Sequence, residues 1–195
     1  MNKKKKSTSV WLTFALLVPI LLLGGCSLKS STGKLKVKDL PEADRQFYQY
    51  VSYIMTKNEK KKFFSLVTDE DRHAFRSEFW KKRDPDAGTE ENEYKKRYFS
   101  RIAEANRLFS KGSYQGYRSD RGRVLVLLGP PESKRIYPTG YRVGDLPMEI
   151  WLYGYYNYPI MFVDRTHSGH YEMTSGSARH VAEMNKAKLD FRTQL

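Results

Sequence analysis

The chain has a single cysteine among its 195 residues, Cys26. One thiol closes no intrachain disulfide and supplies no thiolate set for a structural zinc. Histidine is scarce as well: there are four, and three of them, His167, His170 and His180, lie towards the C-terminus. His167 and His170 straddle Ser168-Gly169, a turn sequence, and a metal would need a third ligand to converge on them, so the spacing reads as a solvated turn. No Gly-x-Ser-x-Gly nucleophile elbow occurs. Gly129-Pro130-Pro131 has too few N–H donors to cradle phosphate, and no Gly-Lys-Ser or Gly-Lys-Thr follows it. Asp84-Pro85-Asp86-Ala87-Gly88 has a calcium-loop flavour, but its glycine stands fifth, not sixth, and Lys95 holds the twelfth place where a glutamate belongs. It reads as a helix-capping loop. These absences predict no metal and no cofactor.

Acid is in deficit, with 22 Asp+Glu against 35 Lys+Arg and a net charge of +13. A long apolar run is missing too. Val10 to Leu23 is apolar apart from Thr13 and is interrupted by Pro19. At ~1.5 Å per residue it reaches about 21 Å, short of a ~30 Å hydrocarbon core. What is present is a short apolar stretch behind the four lysines of Met1–Lys6, running into Leu23-Gly24-Gly25-Cys26. A basic start, a short apolar segment and small residues before a cut make an export signal.

Leu23-Gly24-Gly25-Cys26 resembles a bacterial lipobox, which implies a diacylglycerol carried on the sulfur of Cys26. Acyl chains contribute ~0.8 kcal/mol per buried CH₂, and stable anchoring takes more than one. Ser27 follows the cysteine, and by resemblance to enteric sorting rules this favours the outer membrane. Loss of residues 1–25 would remove four lysines and no acid, so 31 basic side chains against 22 acids leave +9. A basic body beside a membrane is drawn to anionic headgroups or acidic envelope polymers. Nucleic acid is not an expected partner, because export removes the chain from it and no nucleic-acid motif stands out.

The predicted organisation is a signal peptide over residues 1–25, a flexible tether over 26–39 and one domain over 40–195. Its helical half covers 40–110 and its sheet half 111–195. A first helix follows Pro41, with Phe47, Val51 and Ile54 at helical spacing. A second starts at the Thr68 cap and stops before Pro85. A third starts at Thr89 and carries the stripe Tyr94, Tyr98, Ile102, Ala105 and Phe109. Val124 to Leu128, wholly apolar and bounded by a polar turn and Gly129-Pro130-Pro131, reads as a central strand covered by that helix. A short extended piece near Arg135–Tyr137 and strands over Glu149–Tyr156, Ile160–Asp164 and Tyr171–Thr174 follow, with connections short enough for antiparallel neighbours. A last helix spans Ser177–Phe191, with Val181, Met184 and Leu189 on its apolar side. Helices followed by a meander and a C-terminal helix predict an α+β fold.

Gly116-Tyr117-Arg118-Ser119-Asp120 resembles the signature of GWxTD-domain proteins, with Tyr for Trp and Ser for Thr. Phe79-Trp80-Lys81-Lys82-Arg83-Asp84-Pro85, Gly88 to Asn92, Arg101 to Asn106, Arg121-Gly122-Arg123, Gly129-Pro130-Pro131-Glu132, Glu149-Ile150-Trp151 and Phe162 to Arg165 fit the same family in order. The resemblance implies a bacterial envelope protein, often a lipoprotein, with no established activity and no catalytic residues to carry over. The rhythm of the sheet half is also similar to small helix-plus-meander lipoproteins of outer-membrane assembly machinery. The motif residues Gly116, Tyr117, Ser119, Asp120, Arg121, Gly129 and Pro130 read as structural: Tyr117 plugging the core edge, Asp120 clasping Arg121 or Arg123.

Two functions stay open. One is a non-catalytic module that binds an envelope protein or acidic envelope polymer through a face holding Tyr137, Tyr141, Arg142, Tyr155, Tyr156 and Tyr158. The other is an envelope hydrolase acting on a glycan or peptide with carboxylates among Asp120, Glu132, Glu149 and Asp164. Two of those acids converging in an open cleft would favour the enzyme; acids separately paired with arginines would favour the module.

Overall fold

The structure is a computed structural model, and it describes residues 35–142, 145–154 and 158–193, with side chains as far as 187. The predicted export signal, Cys26 and most of the predicted tether lie outside the described residues. Among the described residues six α-helices, α1 (Glu42–Val51), α2 (Lys57–Phe63), α3 (Asp69–Lys81), α4 (Glu93–Phe109), α5 (Asp120–Leu128) and α6 (Ser175–Thr193), accompany four strands, β1 (Ser133–Tyr137), β2 (Met148–Tyr153), β3 (Tyr158–Val163) and β4 (Glu172–Met173). The strands form one sheet in the order β1-β2-β3-β4, every neighbouring pair antiparallel. The fold is α+β. Among the described residues no helix is long and apolar enough to cross a membrane.

Three local codes build the helical half. Thr56 and Glu59 make a capping box for α2: Thr56 Oγ1 accepts the Glu59 N–H at 3.1 Å, and a Glu59 carboxylate oxygen accepts the Thr56 N–H at 2.8 Å. Thr68 Oγ1 accepts the Asp71 N–H at 3.1 Å and starts α3. The expected third helix begins later than Thr89: Asn92 caps α4 through the Lys95 N–H at 2.8 Å, while its Nδ2 donates to the Trp80 carbonyl at the end of α3. Thr89 instead donates to the Glu93 side chain. Helix α2 was not expected at all, although Thr56-Lys57-Asn58-Glu59 spells its cap.

Aromatic rings weld these helices together. Phe47 of α1 meets Phe63 of α2 at 5.8 Å and Phe79 of α3 at 5.3 Å; Trp80 reaches Tyr98 of α4 at 5.8 Å. Such pairs are offset or edge-on, the arrangements that the ring quadrupoles favour. The cluster continues through Tyr117 and α5 into Trp151, Ile160 and Phe162 of the sheet, so one core spans both halves.

The central apolar run corrects the expected strand. Val124 to Leu128 is the last part of α5, not a strand. Ser119 Oγ caps the helix by accepting the Gly122 N–H at 3.0 Å, and Asp120 sits in the first turn where the helix dipole favours an anion. Gly129, at φ 93°, ends it in a conformation only glycine adopts freely. Pro130 and Pro131 stop a helix as effectively as a strand. All five apolar residues are buried, so the segment has no polar face to betray its period. Helix α4 lies against α5, and Phe109 reaches Trp151 at 6.1 Å.

On the sheet, Glu149, Trp151 and Tyr153 of β2 and Ile160 and Phe162 of β3 face the helices. Helix α6 lies along β3, with Val181 and Met184 buried; Ser177 Oγ accepts the Met161 N–H at 2.9 Å. Leu189 lies outside the described side chains.

Phe63 has no solvent exposure and touches four aromatic rings, whereas Val67, four residues on, is 80% exposed. Phe63→Ala is expected to lower unfolding free energy by about 3–5 kcal/mol, and Val67→Ala by less than about 0.5 kcal/mol. Urea unfolding of the two variants checks the contrast.

Candidate functional site

The motif Gly116–Asp120 sits where α4, α5 and the sheet meet. Residues Gly116–Arg118 make one 3-10 turn. A β-carbon on Gly116 would lie 2.2 Å from the Ala105 carbonyl oxygen of α4, and one on Gly122 would lie 2.0 Å from the Gly116 carbonyl oxygen. Backbone therefore rests directly on backbone, which only glycine allows. Asn106 of α4 accepts the Tyr117 N–H at 3.1 Å, and Ser110 Oγ accepts the Gly116 N–H at 3.0 Å. Tyr117 is 1% exposed, its ring 5.5 Å from Tyr50 and its hydroxyl accepting from Arg118 at 3.2 Å. Ser119 bridges: its hydroxyl donates to the Gly116 carbonyl at 2.7 Å while capping α5.

The two charged residues that follow reach the sheet. Asp120 divides its carboxylate between Arg123 at 2.8 Å and the Met173 N–H of β4 at 2.7 Å. Arg121 points elsewhere: its guanidinium donates to Glu149 of β2 at 2.9 Å and to the Gly169 carbonyl at 3.2 Å, lying between the rings of Phe109 and Tyr171. Of the two arginines offered to Asp120 by the sequence, Arg123 is the partner and Arg121 serves Glu149. The other oxygen of Glu149 accepts the indole N–H of Trp151 at 2.8 Å. Glu149 is buried, so this ion pair and its hydrogen bonds are what make the charge tolerable there.

Asp164 closes the loop that follows β3. It accepts N–H donors from Thr166, Ser168 and Gly169, and Lys111 donates to the Ser168 carbonyl of the same loop. Burial pushes its carboxyl pKa up, but the three N–H donors, Gly169 foremost, outweigh this and hold it below the usual aspartate range. Glu132 is exposed beside Gly154. Asp120, Glu149 and Asp164 thus each have separate partners. A groove of about 500 Å³ between α2 and α3, floored by Leu66, Phe75 and Phe79 and rimmed by Lys62, Glu78 and Lys82, is lined by none of the four acids. No sequence pattern announced it, because its lining is drawn from two separately capped helices.

Gly129 joins the bracket from the far end of α5. Its carbonyl accepts the Tyr153 hydroxyl at 2.9 Å, and a β-carbon there would press on the Arg101 guanidinium at 2.6 Å; Pro130 beside it is exposed. The aromatic candidates are divided. Tyr137 and Tyr141 lie ring against ring at 4.3 Å, tilted by 38°, with Tyr141 61% exposed and Arg142 exposed beside it. Tyr158 pairs with Tyr153 at the opposite end of β2 from Tyr137, five residues and roughly 17 Å away along the strand, and lies against His180. Tyr155 and Tyr156 lie outside the described residues. Among the described residues no three His, Cys, Asp or Glu converge on a point a metal could occupy. Asp84 and Asp86 accept backbone N–H groups within their own loop.

A family model described as the GWxTD domain matches residues 34–174. That is most of the chain, and the chain belongs to the GWxTD-domain family. Comparison with curated proteins and with solved structures finds no match.

Gly122→Ala discriminates packing from propensity. Helix propensity alone would make alanine more stable by up to about 1 kcal/mol, whereas the collision with Gly116 predicts a loss of at least ~1–3 kcal/mol; chemical denaturation reads the sign. Asp164 predicts a pH effect. Its depressed pKa contributes stability above the unfolded aspartate value near ~3.9, and that contribution is lost as pH falls through the folded pKa. The stability difference between the parent and Asp164→Asn should therefore shrink on acidification below about pH 4, measured by thermal unfolding across a pH series.

Proposed function

We propose that this GWxTD-domain protein is a lipid-anchored envelope lipoprotein, held at the outer membrane through Cys26, whose body works as a non-catalytic binding module. Its partner is an envelope protein, or an acidic envelope polymer, met at the Tyr137–Tyr141–Arg142 end of the sheet. The observation carrying this reading is the separate pairing of three of the four candidate acids, Asp120 with Arg123 and Met173, Glu149 with Arg121 and Trp151, Asp164 with its own loop, while Glu132 stands exposed away from them. A carboxylate engaged in fixing a turn or paired with a half-buried arginine is not free to accept a proton from water or attack a substrate. Glycoside cleavage requires two carboxylates facing one another across the scissile bond, about 5–10 Å apart. The exposed end of the sheet supports the binding half of the reading. Paired tyrosines with an arginine beside them are side chains that anchor interfaces, giving large contact area at low entropic cost.

Two measurements test the two halves. Detergent phase partition and mass spectrometry of the N-terminal fragment should find a diacylated Cys26, and Cys26→Ser should move the protein to the aqueous phase; an unmodified thiol on freely released protein would overturn the anchor. A photo-crosslinker at position 141, used in intact envelopes, should give a discrete adduct that Arg142→Glu weakens. Turnover of a glycan or peptide that Asp120→Asn abolishes in a still-folded protein would overturn the binding reading.

A further inference from the structure

One edge of the sheet is β1, and its surroundings are unusual for an edge. Among the described residues β1 pairs as a strand with β2 alone, and the Tyr137 carbonyl at its end accepts the Gly140 N–H at 3.2 Å. By register, Lys134 and Ile136 stand opposite Trp151 and Glu149, so they lie on the face of the sheet that the helices cover. Yet Ile136 is 62% exposed. No helix covers Ile136 on that face, so an apolar side chain stands exposed under the edge. Lys134 does not cover it either; its ammonium lies over the Trp151 ring at 4.6 Å. On the other face, Ser133 and Arg135 are exposed, and Tyr137 leads into the Tyr137–Tyr141 ring pair.

We propose that β1 is an augmentation edge: it takes up an extended, acid-rich peptide segment of a partner protein as a fifth strand. This rests on the reading above of this end of the molecule as the contact face, and it names the partner's chemistry. An unpaired edge presents a row of N–H and C=O groups that an extended chain satisfies, while alternate side chains of that chain meet the two faces of the sheet. Here one set meets the exposed Ile136 and the other meets Arg135 and the tyrosine pair. Charge selects the occupant. Lys134 and Arg135 on the strand and Arg142 just beyond it give the edge a positive rim, so a second copy of β1 would set like charges against each other. A strand carrying Glu or Asp at alternate positions meets opposite charges instead. The same lysine and arginine that guard against self-pairing thus admit an acidic strand.

The test uses the full-length protein in neutral-detergent micelles and a soluble ten-residue peptide in which Glu alternates with Val and Thr. A second peptide of the same sequence, N-methylated at alternate amides, keeps the charge and cannot complete the ladder. The unmethylated peptide is expected to bind at low salt, to slow hydrogen exchange at the β1 amides that face away from β2, and to lose affinity as salt is raised. Arg135→Glu should weaken it about tenfold, as like-charge juxtaposition at a contact does, while Lys81→Glu, the same charge change on a remote exposed helix position, should leave it unchanged. Equal binding of the two peptides, or binding without protection in β1, overturns strand addition. Capture of an acidic glycan such as alginate with no β1 protection, and no response to the peptide, overturns it too. None of these failures touches the position-141 adduct, which tests the wider reading by itself.

Discussion

The structure depends on how closely one turn of backbone can approach another. Gly122 rests on the carbonyl of Gly116, and Gly116 rests on the last turns of α4. Because neither residue has a β-carbon, the Gly116–Arg118 turn packs backbone to backbone between the end of α4 and the start of α5. From that fixed origin the next side chains are aimed: Ser119 into its cap, Asp120 to β4, Arg121 to β2. The family signature is therefore a bracket. It converts a local turn into the angle between the helical half and the sheet.

Charge inside this bracket is structural. Arg121 is enclosed by two aromatic rings and holds the buried Glu149, whose other oxygen fixes the indole of Trp151. Trp151 has no solvent exposure and meets Phe162 at 5.0 Å and Phe109 at 6.1 Å. Removing one charge of such a pair leaves the other desolvated and alone, which costs more than the pair contributes as a whole. The helical half repeats the device. Arg83, itself buried, donates to both Glu59 oxygens and to the carbonyls of Ile54 and Phe79, tying the cap of α2 to the end of α3. Asp44 of α1 is buried against Arg72 and Arg76 of α3 in the same way. A basic chain thus uses a sizeable part of its arginine as internal fasteners, and the arginine and lysine left at the rim of the sheet are what a partner would meet.

Legibility in the sequence followed the range of the interaction. Caps were readable at Thr68, since a cap and its acceptor are three residues apart, and Thr56 and Glu59 spell one equally well. The meander was readable from its short connections. Val124–Leu128 was not, because a segment buried on every side has no polar face to set a period of two against one of 3.6. Its end signals, Ser119 before and Gly129 after, were helix signals that the paired prolines overshadowed. Within the motif, a clasp between Asp120 and a neighbouring arginine was legible. The assignment of Arg121 to Glu149 was not, because those residues are 28 apart and meet only once the sheet has formed. The grouping of tyrosines failed for a similar reason: Tyr137 and Tyr158 both flank β2, but antiparallel register sends them to opposite ends.

The account stands or falls on whether Arg121 and Glu149 act as one structural unit. A double-mutant cycle with Arg121→Met and Glu149→Gln, read by urea unfolding, addresses this directly. Each single change should be costly, and the double change should cost less than their sum by about 1–3 kcal/mol, because neither partner is left alone. Additivity within about 0.5 kcal/mol would mean that the two residues are independent, and the motif would then have to be explained by something other than the bracket.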